Sequence, residues 1–272
     1  MALLTAMDAI AKWLSATYPI NEIVFFRSFF AFLPIALIVM LTGGLATLPT
    51  RRPGLHLLRG VLGLFTVSMF FTAISLMPLA DATAVAFVSP LFITAFSVLL
   101  LGEHVGVRRW TAVLIGLIGV AIIIRPGTGV FQPASLLVLI AAFSYALIGI
   151  LTRRLSYTES TAAILVYTAL VQTVLSGLSL PFSWVTPQLE HWPILAGMGI
   201  LGGIGQMCIV QAFRCAQASV IAPFEYSTII WAIALGFLLW QELPDLWTVA
   251  GTVILIATGI YILHREVKQR RG

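Results

Sequence analysis

Long apolar runs, separated by short polar or glycine- and proline-containing stretches, dominate this sequence of 272 residues. Most runs have the roughly 20 residues that a helix needs to cross about 30 Å of hydrocarbon. They cover residues 1–17, 22–42, 55–76, 82–101, 110–125, 134–151, 161–182, 194–214, 219–240 and 246–263. The pattern predicts ten transmembrane helices. The first run is short and begins at Met1 without a cleavable signal peptide, which leaves an upstream start open.

The composition agrees with a membrane protein. Hydrophobic residues make up 60% of the chain and charged residues 9%, whereas soluble domains have about 45–50% apolar and about 25% charged residues. So few charges cannot cover the surface of a water-soluble protein, and we therefore expect the lipid bilayer to surround this one. The net charge of +5 lies mostly in loops, so we expect no nucleic-acid partner.

The positions of the basic residues predict the orientation. With ten spans, 12 of the 15 Lys and Arg residues fall on one side. They are Arg51, Arg52, Arg59, Arg108, Arg109, Arg153, Arg154, Arg214, Arg265, Lys268, Arg270 and Arg271. Because basic loops stay in the cytoplasm, we expect a bacterial-type inner-membrane protein with both termini cytoplasmic. The exceptions are Lys12, Arg27 and Arg125.

Part of the sequence occurs twice. Eight residues between positions 60 and 103 recur 139 positions later without a gap. The most informative pairs are Gly60 with Gly199, Gly63 with Gly202, and Glu103 with Glu242. We therefore divide the chain into two five-helix repeats, residues 1–127 and 133–272. Since five is an odd number, the second repeat enters the membrane from the opposite side.

The predicted fold is an all-α membrane protein, with ten transmembrane helices as two inverted five-helix repeats around a central cavity. Residues 60–103 should superpose on residues 199–242 after rotation about an axis in the membrane plane. Inverted repeats suit alternating access, because the halves can exchange conformations to open either side. The alternative is an old duplication kept only for packing.

Several short motifs in this order are similar to those of a known family. They are Lys12-Trp13-Leu14, Phe26-Arg27, Pro78-Leu79-Ala80-Asp81-Ala82, Gly102-Glu103, Ala222-Pro223 and Glu242. With them the chain resembles the drug/metabolite transporter (DMT) superfamily, specifically its EamA type. The resemblance implies a carrier without an ATPase domain. It does not specify a substrate, because EamA-type proteins include exporters of amino acids and importers of vitamins and nucleotide-like compounds.

Two charged residues inside the spans are candidates for binding. A charge at the centre of a span costs at least about 2.5 kcal/mol, so it usually faces a cavity or a partner. Arg27 suits a substrate carboxylate, or it pairs with Glu22 or a helix C-terminus to fix packing. Glu225 follows the helix-breaking Pro223 and binds an ammonium group or a proton, or is a satisfied packing residue.

Aromatic and amide side chains complete the predicted substrate site. Tyr145, Tyr167, Tyr226 and Trp231 lie within apolar runs, and Gln206 follows a cluster of glycines where helices can approach closely. Packing is the alternative for each aromatic residue.

A further set of charges lies near the ends of the runs. Asp8 and Lys12 are four residues apart, so we expect an ion pair within one helix. The internal alignment matches Lys12 with Arg153 as mirror-related anchors. Glu103 and Glu242 stand at helix ends, where we expect structural roles.

These observations predict a secondary transporter of small polar organic solutes. The leading hypothesis is export of amino acids or related metabolites by alternating access. The alternatives are uptake of a vitamin or nucleotide-like metabolite and, from another class, a channel. No catalytic constellation, phosphate loop or metal-ligand spacing is visible. We therefore expect no enzyme activity and no cofactor, a monomer, and coupling to a proton or to no ion.

Overall fold

The computed structural model describes residues 1–101, 107–125, 132–215 and 227–271. Within these ranges the chain forms twelve α-helices and no β-strand. They are α1 (Ala2–Leu14), α2 (Ile20–Phe30), α3 (Phe32–Leu41), α4 (Pro53–Leu76), α5 (Leu79–Ala86), α6 (Ser89–Leu101), α7 (Val107–Ile124), α8 (Ala134–Ser156), α9 (Thr161–Ser179), α10 (Trp192–Cys215), α11 (Ser227–Trp240) and α12 (Leu246–Arg271).

Two of the apolar runs are each divided into two helices. The run 22–42 breaks at Ala31 between α2 and α3, and the run 82–101 breaks after α5. In each case a proline follows the break, Pro34 in α3 and Pro90 in α6. Proline donates no backbone hydrogen bond, and its ring clashes with the carbonyl four residues earlier. The breaks therefore follow from local sequence.

Five segments of the described chain are long and apolar enough to cross a membrane. They are Ile20–Leu41, Pro53–Leu76, Ala134–Ser156, Thr161–Phe182 and Leu189–Ala212. Shorter apolar helices accompany them at Leu79–Ile93, Val113–Ile124, Ser227–Trp240 and Leu246–Thr258. Many leucine, isoleucine and phenylalanine side chains are exposed on the outside of the bundle, as expected for a surface in lipid.

The most extensive helix contacts join the first half of the chain to the second. Helix α4 packs against α8 and α9, and α10 packs against α1 and α2. Helix α7 packs along α12, α6 lies against α8, and α11 lies against α1 and α5. The hydrophobic core is therefore shared between the halves.

The repeated glycines lie at these contacts. A β-carbon built on Gly60 of α4 would be 2.5 Å from the Val171 side chain of α9. One built on Gly199 of α10 would be 2.4 Å from Phe30 of α2. Both glycines thus allow a helix of one half to approach a helix of the other closely.

The contact between α7 and α12 provides a test of this packing. A β-carbon on Gly251 would be 2.5 Å from the carbonyl oxygen of Gly119, and a backbone atom cannot move aside as a side chain can. We expect Gly251→Ala to lower the free energy of unfolding by about 1–3 kcal/mol, measured by thermal unfolding in detergent. Gly197→Ala is the matched control, because no atom lies within 4 Å of its β-carbon position. Equal unfolding temperatures for the two variants would contradict the prediction.

Candidate functional site

A cavity of about 260 Å³ lies between the two halves. This volume is close to the lower end of the range for small-molecule pockets, about 300–1,000 Å³. Helices from both halves form its wall, with Phe70, Phe71 and Phe87 among the apolar residues. Its polar residues are Asp8, Arg27, Ser28, Arg59, Thr66, Thr83, Ser89, Tyr145, Thr168, Gln172, Gln206 and Thr228.

Arg27 projects from α2 into the cavity wall and is only 9% exposed. Its Nε lies 3.1 Å from the sulfur of Met7, and its Nη1 donates a long hydrogen bond of 3.5 Å to Oε1 of Gln172. Glu22 does not pair with it: Oε2 of Glu22 accepts a hydrogen bond from the backbone N–H of Val185 at 3.0 Å, and Oε1 has no partner among the described residues. The alternative in which Arg27 pairs with Glu22 is therefore wrong.

The expected ion pair between Asp8 and Lys12 is also wrong. Asp8 lines the cavity and interacts electrostatically with Arg27. Lys12, one turn further along α1, has its Nζ 2.7 Å from Oε2 of Glu242. Local spacing failed here because the ends of α1 and α11 pack together and bring the carboxylate of Glu242 within reach of Lys12.

A second ion pair joins the halves through the same loop, the one that contains Glu242. Arg125, which follows α7, pairs with Asp245, which precedes α12. Burial raises the pKa of Asp245, but hydrogen bonds from Thr248 and Arg125 outweigh burial and leave this pKa below its usual value. Lys12 and Arg125, two exceptions to the charge rule, are therefore both partners in ion pairs between the halves.

Arg59 is a cavity residue that was not predicted from the sequence. It was assigned to the cytoplasmic charges, but it lies inside α4, is 1% exposed and lines the cavity. Its Nε donates to Oγ1 of Thr152 at 2.8 Å, and its Nη1 donates to Oγ1 of Thr168. Its distance from Pro53, where the helix begins, could have indicated this buried position: six residues correspond to about 9 Å of helix rise.

The two guanidinium groups lack a direct carboxylate partner within the described part of the chain. Neutral groups contact both of them: a thioether and an amide at Arg27, and two hydroxyls at Arg59. Asp8 is the acidic side chain in the described wall. The described wall of the cavity thus contains two arginines and one aspartate, and the planar forks of both arginines suit a carboxylate.

The remaining predicted site residues fall in different places. Tyr145 and Gln206 line the cavity. Tyr167 lies instead against the ring of His56, with 4.7 Å between centroids, and is not among the residues of the wall. Trp231 is 46% exposed on α11 and is not among them either. The structure therefore favours packing roles for these last two.

Glu225 and Tyr226 lie outside the described residues, and so does Glu103 of the repeat. The described part of α11 begins at Ser227. From this helix Thr228 contributes to the cavity wall.

Comparison with known proteins gives a consistent picture. The chain matches the EamA-like transporter family over residues 1–125 and again over residues 132–264. It is 30% identical to an S-adenosylmethionine uptake transporter of Rickettsia bellii, over 97% of this chain and 90% of that protein. It is 32% identical to the pseudopaline exporter CntI of Pseudomonas aeruginosa, over 94% and 90% of the two chains.

A riboflavin transporter of Vibrio cholerae is also 32% identical, over 83% of this chain and 76% of that protein. A crystal structure with 19% sequence identity and a TM-score of 0.68 covers 99% of this chain and 97% of its own. At this identity the likeness shows a shared fold.

Proposed function

Because this chain belongs to the EamA-like transporter family, we propose that it is a secondary transporter of a small metabolite bearing the carboxylate and ammonium groups of an amino acid. It works by alternating access in the inner membrane, with both termini in the cytoplasm. Export of amino acids or related metabolites is the leading form of the proposal.

The observation that carries this proposal is the charge arrangement of the cavity. Arg27 and Arg59 present guanidinium groups that have no direct carboxylate partner in the described chain, and Asp8 lines the same cavity. A solute carboxylate would receive paired N–H groups from an arginine. The ammonium group of the solute would bind Asp8, and phenylalanine side chains would contact the apolar part of the solute. Glu225 and Tyr226 remain proposed contributors.

The solutes in the names of the relatives fit this chemistry, and the relatives include both an uptake transporter and an exporter. S-adenosylmethionine contains the ammonium and carboxylate groups of methionine, and the relative named for it is an uptake transporter. Uptake of such a nucleotide-like compound is therefore the second candidate. An exporter is also among the relatives. A channel is less well supported. The residues of α1 that line the cavity end at Asp8, and one turn further along α1 the ion pair between Lys12 and Glu242 joins the helices beyond the cavity.

The helix contacts support alternating access. The packing of α4 on α9 is mirrored by α10 on α2, and that of α4 on α8 is mirrored by α10 on α1. The contact of α6 with α8 is mirrored by α11 with α1. This exchange of partners is expected of two five-helix halves related by a two-fold axis, and it supports the proposed inverted repeat, which is one such arrangement.

Ligand binding and counterflow test the proposal. We expect S-adenosylmethionine or methionine to raise the unfolding temperature, because a ligand at about 100 times its Kd adds roughly 2.7 kcal/mol of stability. The same compounds should show saturable counterflow in proteoliposomes. Methioninamide, which lacks the carboxylate, is the matched control and should do neither. Riboflavin binding without amino-acid binding would overturn the proposed solute class, and flux that does not saturate would indicate a channel.

A further inference from the structure

A buried histidine and glutamate face each other beside the cavity. Nε2 of His56 in α4 lies 3.6 Å from Oε2 of Glu159, and their side chains are 1% and 3% exposed. This separation allows an ion pair but is too long for a direct hydrogen bond. Neither ring nitrogen of His56 has a hydrogen-bond partner among the described residues. A buried polar side chain without a hydrogen bond lowers the stability of a protein, so packing alone does not explain a histidine here.

The groups around His56 connect it to the cavity. Glu159 lies in the turn between α8 and α9 and approaches His56 from there. The ring of Tyr167 in α9 contacts the ring of His56. Arg59 lies one turn later on the same helix and interacts electrostatically with both His56 and Tyr145 of α8. Glu159 and Arg59 are charged groups near the imidazole, Glu159 at the distance of an ion pair and Arg59 one turn further along α4. Arg59 is therefore both a neighbour of His56 and part of the cavity wall.

Charge balance links this pair to the solute. With a second proton on the ring, the imidazolium of His56 and the carboxylate of Glu159 form a pair without net charge. With the imidazole neutral, the carboxylate remains as a buried negative charge. The positive charge of Arg59 opposes protonation of His56. A carboxylate bound to Arg59 cancels this repulsion, so binding of the solute and of the proton favour each other. Such coupling is reciprocal, because each ligand must change the affinity for the other by the same factor.

We propose that His56 and Glu159 form the proton-coupling site of this transporter, and that one proton binds there together with a carboxylate-bearing solute at Arg59. The proton binds to an imidazole nitrogen and leaves when the solute leaves Arg59. This inference rests on the proposed function in that the solute carries a carboxylate, and on its uptake form, because cotransport with protons follows the inward proton gradient of a bacterial inner membrane.

Histidine NMR tests the proton site without a transport assay. The chain has four histidines, so a protein labelled with ¹⁵N in histidine gives few signals, and His56→Gln identifies the one that belongs to His56. We expect this signal to change with protonation as the pH is lowered across the range in which the protein stays folded. Adding S-adenosylmethionine at pH 7 should increase its protonated fraction. A His56 signal that does not titrate in this range would overturn the proposal.

Transport separates coupling from carrier activity. In proteoliposomes with equal pH on both sides, exchange of labelled S-adenosylmethionine by the parent protein should depend on pH, and His56→Gln should exchange it without that pH dependence. With a pH gradient imposed, the parent should accumulate the solute up to about tenfold per pH unit, the limit for one proton per solute, and His56→Gln should not. His191→Gln is the matched control, because His191 contacts Tyr18 away from the cavity wall and should leave accumulation unchanged.

Each other outcome has a defined meaning. Accumulation by His56→Gln at the parent rate, or exchange by the parent without accumulation, would overturn the coupling site. If His56→Gln does not fold, Glu159→Gln serves in its place with the same expectations. If none of the carboxylate-bearing probes is exchanged, the proposed function fails, and the titration of His56 still decides whether the pair binds a proton.

Discussion

Arg59→Gln is expected to weaken solute binding by about 100-fold or more. Each hydrogen bond to a charged group contributes about 1.5–3 kcal/mol, and a carboxylate gripped by the guanidinium fork loses two of them. Arg59→Lys keeps the charge but not the fork, so we expect an intermediate loss. The measurement is the concentration dependence of counterflow in proteoliposomes.

The fold should tolerate this substitution. The hydroxyls of Thr152 and Thr168 accept hydrogen bonds from Arg59, but each donates to a backbone carbonyl of its own helix, at 2.7 Å and 2.6 Å. Removing the arginine therefore leaves no buried donor without an acceptor. Arg51→Gln is the matched control, because Arg51 is exposed in the loop before α4 and should leave affinity unchanged. Unchanged affinity in Arg59→Gln would exclude Arg59 from the site.

Reversing the charge of Lys12 is expected to lower the free energy of unfolding by about 2–4 kcal/mol. Lys12 and Glu242 are only 10% and 28% exposed, and removing one partner of a pair that is largely buried leaves the other uncompensated. Lys12→Glu places two carboxylates together and also loses the bond from Nζ to the carbonyl of Met77, at 3.2 Å. Thermal or denaturant unfolding in detergent measures the change.

A double substitution shows whether the pair itself is responsible. Lys12→Glu combined with Glu242→Lys should recover part of the lost stability, since the charges again attract. Recovery should be incomplete, because Nζ of Lys12 also lies 4.9 Å from the centre of the Trp240 ring, which favours a cation at that position. If the double variant lost as much free energy of unfolding as the two single variants lose together, Lys12 and Glu242 would not interact as a pair. Glu190→Gln, at an exposed position, controls for general loss of acidic charge.

The sequence predicted the helices well because their causes are local. Apolar runs of span length became helices, and the breaks near Ala31 and Phe87 follow from Pro34 and Pro90. Of the predicted site, Arg27, Tyr145 and Gln206 line the cavity, since a polar group within an apolar helix needs a polar surrounding.

The misses have non-local causes. Arg59 was grouped with the arginines of the preceding loop. Its depth in the membrane depends on where α4 begins, which the sequence did not fix. The partner of Lys12 is 230 positions away in Glu242, and no spacing rule within a helix can find it. Tyr167 and Trp231 were chosen by residue type alone, and the face of a helix that each occupies is set by the packing of its neighbours.

The packing of α4, α10 and α12 has a consequence for how this protein can change over generations. At Gly60, Gly199 and Gly251 the atoms that exclude a larger side chain belong to the opposite half of the chain. A substitution at any of these positions therefore cannot be accommodated by its own repeat. At these contacts each half is part of the selective environment of the other, so a larger side chain in one half requires a complementary change in the other, as between two subunits of one complex.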